Sequence, residues 1–194
     1  MSTPLRILAI PGSLRARSTN LLLLETAALL AHADMRFEIF AQLGDIPLFN
    51  PDRTDVPPAV AALRASIAIA DAVILSAPEY AHGLPGALKN ALDWLVSGLE
   101  FPSLPVALLN TAPRAVHAQA ALVETLKTMS AQLLTPPVTD IPMAGRPFSL
   151  DQVVSDPTLA GPIRAVLKNL EVAARETRLA GRRLVTISGD PVQG

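Results

Sequence analysis

Nine residues near the start of the chain combine a glycine, several hydroxyl side chains, two arginines and an asparagine: Gly12-Ser-Leu-Arg-Ala-Arg-Ser-Thr-Asn20. They follow a short apolar run and precede a helical pattern, so their backbone amides lie at a predicted helix N-terminus, where the helix dipole favours an anion. Hydroxyl groups and a guanidinium add hydrogen-bond donors. The spacing predicts a site for a terminal phosphate, formed by Ser13, Arg15, Ser18, Thr19 and Asn20.

Three other kinds of phosphate-binding loop do not fit this segment. A nucleotide-hydrolysing loop would end in Gly-Lys-Ser/Thr, and a dinucleotide fingerprint needs three spaced glycines, whereas only Gly12 is present. A phosphatase loop would need a nucleophilic cysteine, and the chain has none. The remaining alternative is an ordinary strand–helix turn in which Ser18 caps the helix and Arg15 is solvated.

A second segment, from Ser76 to Leu95, reads as the end of an apolar strand, a turn bracketed by proline and glycine, and an amphipathic helix. Such a turn leaves backbone amides and carbonyls available to hold a flat polar ligand. Together with the phosphate site, this turn indicates a phosphate-bearing aromatic cofactor.

Both segments must be positioned by a frame of alternating strands and helices. Strand-like runs occur at 5–10, 35–40, 72–77, 105–110 and 135–141, and helical patterns at 18–33, 58–70, 85–97, 114–133 and 156–181. This alternation predicts an α/β fold with a parallel sheet covered by helices on both faces. Ligands of such folds bind at the carboxyl ends of the strands, where both segments lie. We expect one domain over residues 1–187 and a disordered tail at 188–194.

Composition narrows the class of protein. The chain has 194 residues, of which 50% are hydrophobic, enough for one buried core. No apolar run is long enough for membrane insertion and no signal peptide is apparent, so we expect a cytoplasmic protein. A net charge of -1 without a basic stripe argues against a nucleic-acid partner. The absence of cysteine excludes thiol redox chemistry, and no metal-ligand spacing is present, so a redox function requires a bound organic cofactor.

Two motifs carry a family resemblance. Gly12-Ser-Leu-Arg-x-x-Ser-x-Asn20, together with Pro78-Glu-Tyr-x-x-Gly-x-Pro-Gly-x-Leu-Lys-Asn-Ala-x-Asp-Trp-Leu95, resembles the NADPH-dependent FMN reductase family, which includes quinone, azo-dye and chromate reductases. The resemblance covers roughly residues 5–181. It implies a flavodoxin-like three-layer sandwich with a five-stranded parallel sheet of order 2-1-3-4-5, one bound FMN, and NADPH or NADH as co-substrate.

The resemblance also implies roles for individual residues. It assigns the FMN phosphate to Ser13, Arg15, Ser18 and Asn20, and the isoalloxazine ring to backbone contacts of Pro78, Glu79, Tyr80 and Gly83. We add Thr19 to the phosphate ligands, and we add His82, at the rim of the pocket, to the residues around the ring. No side chain is expected to be catalytic, because the flavin carries the chemistry. A general-acid role for Glu79 is the less favoured alternative, and Tyr80 either stacks on the ring or lies in a dimer contact.

The implied function is electron transfer from a nicotinamide to a small-molecule acceptor by a two-step exchange. The acceptors of the family are quinones, free flavin, azo compounds and metal oxyanions. A homodimer formed by the helices after the third and fourth strands is expected, and dimers could pair into a homotetramer. Two alternatives stay open: a flavodoxin-type electron carrier, which the charge of -1 disfavours because such carriers are usually strongly acidic, and a flavin-free binding module.

One departure from the family pattern follows the fourth strand. Family members usually carry a glycine-rich loop there that approaches the flavin edge, but no glycine occurs between Gly98 and Gly145. Backbone without glycine adopts positive φ angles less readily. We expect the side chains of Arg114, His117 or Gln119 to replace the missing backbone contacts.

Overall fold

The computed structural model describes residues 3–143, 145 and 147–181, and its centre is a five-stranded sheet. The strands are β1 (Leu5–Pro11), β2 (Met35–Ile39), β3 (Ala72–Ser76), β4 (Pro105–Asn110) and β5 (Gln132–Asp140). Every pair is parallel and the order is β2-β1-β3-β4-β5, which confirms the predicted topology. The central strands β3 and β4 are buried at every position, as a sheet covered on both faces requires.

Six α-helices in the described part of the chain cover the sheet. They are α1 (Thr19–Leu30), α2 (Pro58–Ile69), α3 (Gly86–Leu95), α4 (Val116–Thr128), α5 (Leu150–Ser155) and α6 (Pro157–Leu179). Because successive side chains of a strand point to opposite faces, β1 sends Leu8 and Ile10 into the core under α2, α3 and α4. Its Leu5 and Ile7 enter the core under α1, α5 and α6.

The last third of the chain departs most from the prediction. The predicted helix at 114–133 was too long, because Ser130 has a φ of 59° and the chain already enters β5 at Gln132. The predicted strand at 135–141 began too late, because β5 begins at Gln132. The pairing of β5 with β4 is irregular between Val106 and Leu108. Helix α5 was not predicted, although its capping box of Ser149 and Gln152 is a recognisable start signal.

The start of α6 agrees with the prediction. Asp156 caps the helix by accepting the Thr158 amide at 2.8 Å, and Pro157 occupies the first helical position. The proposed tail at 188–194 lies outside the described residues, and the domain extent of 1–187 stays a prediction. Within the described part of the chain, no helix is both long and apolar enough to cross a bilayer.

Gly12 allows the ends of β1 and β3 to approach each other closely. The Gly12 amide donates to the Ser76 carbonyl at 2.8 Å, extending the β1–β3 pairing beyond the strands. A Cβ at Gly12 would lie 2.6 Å from the Ala77 Cβ, closer than real Cβ atoms approach, and 3.0 Å from Leu88 Cδ2, which is a tight contact. The absence of a side chain at position 12 therefore lets the loop after β1 and the turn after β3 approach this closely.

A buried polar cluster fixes the same edge of the sheet. Asn20, in the first turn of α1, accepts the Ser76 hydroxyl at 2.9 Å and the Thr111 hydroxyl at 3.4 Å through one oxygen, Oδ1. All three residues are buried. Since Ser76 ends β3 and Thr111 follows β4, this amide connects α1 to two strand ends.

Replacing Gly12 tests the close approach. We expect Gly12→Ala to lower the free energy of unfolding by about 1–3 kcal/mol, because the added methyl overpacks against Ala77. Chemical denaturation measures this change. Gly86→Ala is the matched control, since a Cβ there meets nothing within 4 Å. Equal stability of the two variants would contradict the packing argument.

Replacing Asn20 tests the polar cluster. We expect Asn20→Ala to reduce the unfolding free energy by about 1–3 kcal/mol, because the Ser76 and Thr111 hydroxyls lose their buried acceptor. Asn169→Ala on the exposed face of α6 controls for helix propensity and should change stability by less than about 0.5 kcal/mol. Thermal unfolding that shifts equally in both variants would rule out a structural role for the Asn20 amide.

Candidate functional site

Three segments meet at the carboxyl edge of the sheet and form the candidate site. They are loop 12–20 after β1, turn 78–83 after β3, and segment 110–119 at the end of β4. β1, β3 and β4 are neighbours in the sheet, so the three segments are brought side by side. The sequence placed the predicted site residues in the first two of these segments, and the structure brings these two together.

Loop 12–20 is organised by its own hydroxyl groups. The Ser13 hydroxyl accepts the Arg15 amide at 3.3 Å, and the Ser18 hydroxyl caps α1 by accepting the Asn20 amide at 3.2 Å. Ser13 and Ser18 are 8% and 6% exposed, so both hydroxyls belong to the wall of the site rather than to open surface. The capping role considered for Ser18 is therefore present, and it is compatible with anion binding at the same helix end.

The electrostatics of this loop favour an anion. The first turn of α1 contains no acidic residue that would neutralise the positive end of the helix dipole. Arg15 is exposed, and within the described residues its guanidinium has no carboxylate partner. Thr19 is the first residue of α1 and is half-buried. A phosphate dianion fits this donor set, because it would supply the negative charge that the loop lacks.

Asn20 has a different position from the other predicted phosphate ligands. Its Oδ1 faces the protein interior and accepts the two hydroxyls of the polar cluster. It thus anchors the loop to β3 and β4. Sequence reasoning missed Ser76 and Thr111, although a polar residue at the end of each apolar strand is the signal that could have found them.

Turn 78–83 is a tight hairpin. Tyr80 and Gly83 form an antiparallel bridge with N–H···O distances of 3.1 and 2.9 Å. The two residues between them, Ala81 and His82, have φ angles of 48° and 57°. Both central residues at positive φ are the mark of a type I′ turn, for which Asn-Gly is the usual sequence. Ala81 and His82 hold this conformation without the freedom of glycine.

The side chains of the turn are oriented in different directions. Pro78 and Glu79 are half-buried, whereas Tyr80 and His82 are exposed. The Glu79 carboxylate accepts the Ala118 amide at 2.9 Å, so this side chain is directed at α4. The carboxylate is therefore engaged within the protein.

Segment 110–119 is built by side-chain hydrogen bonds in place of glycines. The Asn110 amide group bonds both the N–H and the carbonyl of Ala112, at 3.1 and 2.9 Å, and also donates to Asp140 at 2.7 Å. Gln119 is buried and donates to the Ala77 carbonyl at 3.2 Å, so it is turned into the protein. Of the three residues expected to replace the glycines, only Arg114 and His117 are exposed at this edge.

The neighbouring loop at 45–50 is fixed to α3. Asn90 donates to the Pro47 carbonyl at 2.9 Å and accepts the Phe49 amide at 2.8 Å. The Trp94 indole also donates to Pro47, at 2.8 Å, and its ring meets Phe49 edge-on at 5.2 Å. Trp94 is therefore a structural residue.

The donor set suits an organic cofactor rather than a metal. Across the residues that the structure describes, no group of three or more His, Cys, Asp or Glu side chains could hold a metal ion. The site instead offers hydroxyls, a guanidinium and a helix N-terminus beside a turn with a preformed backbone.

Comparison with known proteins identifies the family. The family described as NADPH-dependent FMN reductase matches residues 5–145. An NAD(P)H-dependent FMN reductase of Pseudomonas aeruginosa is 33% identical over 185 residues, covering 92% of this chain and all of the relative. A quinone reductase of Escherichia coli is 37% identical over 110 residues, which cover 55% of this chain and 57% of the relative.

A solved structure gives the same result. The flavoenzyme NAD(P)H:(acceptor) oxidoreductase FerB of Paracoccus denitrificans superposes with a TM-score of 0.74 at 27% identity, covering 88% of this chain and 97% of FerB. The flavodoxin-like fold, the oxidoreductase class and the predicted dependence on FMN and a nicotinamide are thereby confirmed. The chain belongs to the NADPH-dependent FMN reductase family.

Proposed function

We propose that the protein holds FMN at the carboxyl edge of the sheet and passes electrons from NADPH or NADH to a small-molecule acceptor in two successive steps. The observation that carries the proposal is the adjacency of an anion-favouring loop, 12–20, and a rigid backbone turn, 78–83. A ligand with a phosphate at one end and a flat ring at the other matches this pair of features.

The phosphate would be held by loop 12–20. Ser13, Ser18 and Thr19 offer hydroxyl donors, Arg15 offers a charge-assisted hydrogen bond, and the α1 dipole adds attraction. Asn20 contributes by keeping the loop in place, since its Oδ1 is occupied by Ser76 and Thr111.

The isoalloxazine ring would lie against turn 78–83. The Tyr80–Gly83 bridge fixes the backbone of the turn, and Pro78 and Glu79 connect it to β3. The exposed rings of Tyr80 and His82 stand at the edge, where they can cover the ring from solvent. Preformed backbone groups are suited to this task because they need no reorganisation when the ligand binds.

FMN, when bound, supplies the hydride-accepting and electron-donating chemistry, and the chain supplies binding, orientation and shielding from water. None of the predicted ligands is required to act as a nucleophile or as a proton donor. The Glu79 carboxylate is engaged at the Ala118 amide, which supports this assignment.

Quinones and free flavin are our first choices of acceptor, and azo compounds and metal oxyanions are further candidates. The similar proteins named quinone reductase and FMN reductase support the first two. Arg114 is exposed at this edge, and its guanidinium suits electron-rich oxygens of an acceptor.

We also infer a homodimer, with a homotetramer as a further stage of assembly. Val96 and Leu99 directly after α3, and Val116 at the start of α4, are apolar side chains with 55%, 73% and 57% exposure. Val116 lies on α4 and the other two follow α3, and these are the helices expected to form the dimer. Sedimentation of the FMN-loaded protein as a monomer would refute this inference.

Steady-state kinetics with both nicotinamides tests the two-step exchange. We expect nicotinamide oxidation that depends on FMN content, with parallel double-reciprocal lines when nicotinamide and quinone are varied, because the first product leaves before the acceptor binds. Intersecting lines would contradict the exchange. Turnover only after addition of a separate reductase would indicate an electron carrier, and a colourless protein that does not bind FMN would indicate a flavin-free module.

Arginine replacement tests the phosphate assignment. We expect Arg15→Ala to weaken FMN binding by roughly 10- to 100-fold, through loss of a charged hydrogen bond worth about 1.5–3 kcal/mol. Glu79→Gln should weaken it by less than about threefold, because an amide oxygen can still accept the Ala118 N–H. Fluorescence titration measures both, with the exposed Arg164→Ala on α6 as control. An equal or reversed order of losses would contradict the assignment.

A further inference from the structure

Helix α4 begins without the usual local cap. Its N-cap residue, Ala115, has no side-chain acceptor, and the first turn of the helix contains no acidic residue. The first amides of a helix have no partner within the helix, and they require an acceptor from elsewhere.

Glu79 supplies the missing acceptor from another part of the chain. Its Oε2 lies 2.9 Å from the amide nitrogen of Ala118, the third residue of α4, across 39 positions of sequence. A carboxylate at this place both accepts the hydrogen bond and adds a negative charge to the positive end of the helix. Turn 78–83 and α4 are thus joined through the side chain of Glu79.

Two further contacts join the same pair of elements. Gln119 donates to the carbonyl of Ala77, at the base of the turn, at 3.2 Å. The His82 and His117 rings stack with centroids 4.5 Å apart and planes 18° from parallel, at the tip of the turn. Turn 78–83 is therefore held to α4 at its base, at Glu79 and at its tip.

The backbone of the turn explains why such support is needed. Ala81 and His82 both have positive φ angles, which are unfavourable for residues with a side chain. A conformation of this kind persists only when surrounding contacts determine it. Two side chains, Glu79 and Gln119, hold the turn to α4 by hydrogen bonds. Of these, Glu79 belongs to the turn itself.

We propose that Glu79 is a positioning residue, which fixes the turn over the flavin ring by capping α4. The inference rests on the proposed placement of FMN at this turn. It gives Glu79 a role through its side chain that differs from proton donation, since the carboxylate acts on a backbone amide of the protein. It also explains how segment 110–119 keeps its place without glycine.

The test compares Glu79→Ala, which removes the cap, with Glu79→Gln, which keeps an acceptor oxygen. Glu124→Ala, an exposed glutamate of the same helix, is the matched control. Three quantities are measured on the FMN-loaded full chain: hydrogen exchange of amides 116–118, visible circular dichroism of the flavin, and the dissociation constant for FMN. We expect Glu79→Ala to raise the hydrogen-exchange rate of these amides by about five- to tenfold, as loss of a helix cap predicts. We expect the dissociation constant for FMN to rise by about the same factor.

The conservative variant separates the possible outcomes. If Glu79 positions the turn, Glu79→Gln restores most of the exchange protection and of the flavin dichroism, and Glu124→Ala matches the wild type. If Glu79→Ala leaves exchange and dichroism unchanged while the wild type binds FMN, the positioning role is wrong and the proposed function stands. If Glu79→Gln lowers kcat as much as Glu79→Ala and removes an ionisation from the pH–rate profile, Glu79 is a proton donor instead. Failure of the wild type to bind FMN would refute the proposed function itself.

Discussion

The contact between Gly12 and Ala77 is the constraint on which the site depends. The loop after β1 and the turn after β3 approach until a Cβ at Gly12 would lie 2.6 Å from its neighbour. Parallel strands already bring their carboxyl ends to one edge, and this contact removes the remaining gap between the two connections. The Asn20 cluster then fixes the first turn of α1 to β3 and to the residue after β4. For this reason, loop 12–20 and turn 78–83 are parts of one surface.

Four buried polar side chains hold the site together, and other polar side chains at the same edge are exposed. Asn20, Ser76, Thr111 and Gln119 are all buried, and each has a partner inside the protein. Arg15, His82 and Arg114 are exposed at the same edge. A buried polar group left without a partner is costly, which explains why each of these four side chains has a hydrogen-bond partner inside the protein.

The alternation of apolar runs and helical patterns was sufficient to predict a parallel sheet, and motifs at fixed spacing were sufficient for the two principal loops. The order of the strands came from the family resemblance that these motifs carry. The sequence was insufficient wherever a contact joins distant parts of the chain. Glu79 and Ala118 are 39 residues apart, and no local pattern indicates that this carboxylate caps α4. The limits of α4 and β5 were misjudged because Ser130 adopts a positive φ that its residue type does not predict. The ligand assignments of individual site residues stay predictions.

We propose that loop 12–20 binds the phosphate of FMN. The ratio of dissociation constants for FMN and riboflavin tests this site, because the two flavins share the ring and differ in the phosphate. We expect FMN to bind at least about 100-fold more tightly, a difference of about 2.7 kcal/mol, and the difference to shrink with rising salt. Equal affinity for the two flavins would refute the phosphate site, because the loop would then contribute nothing to binding.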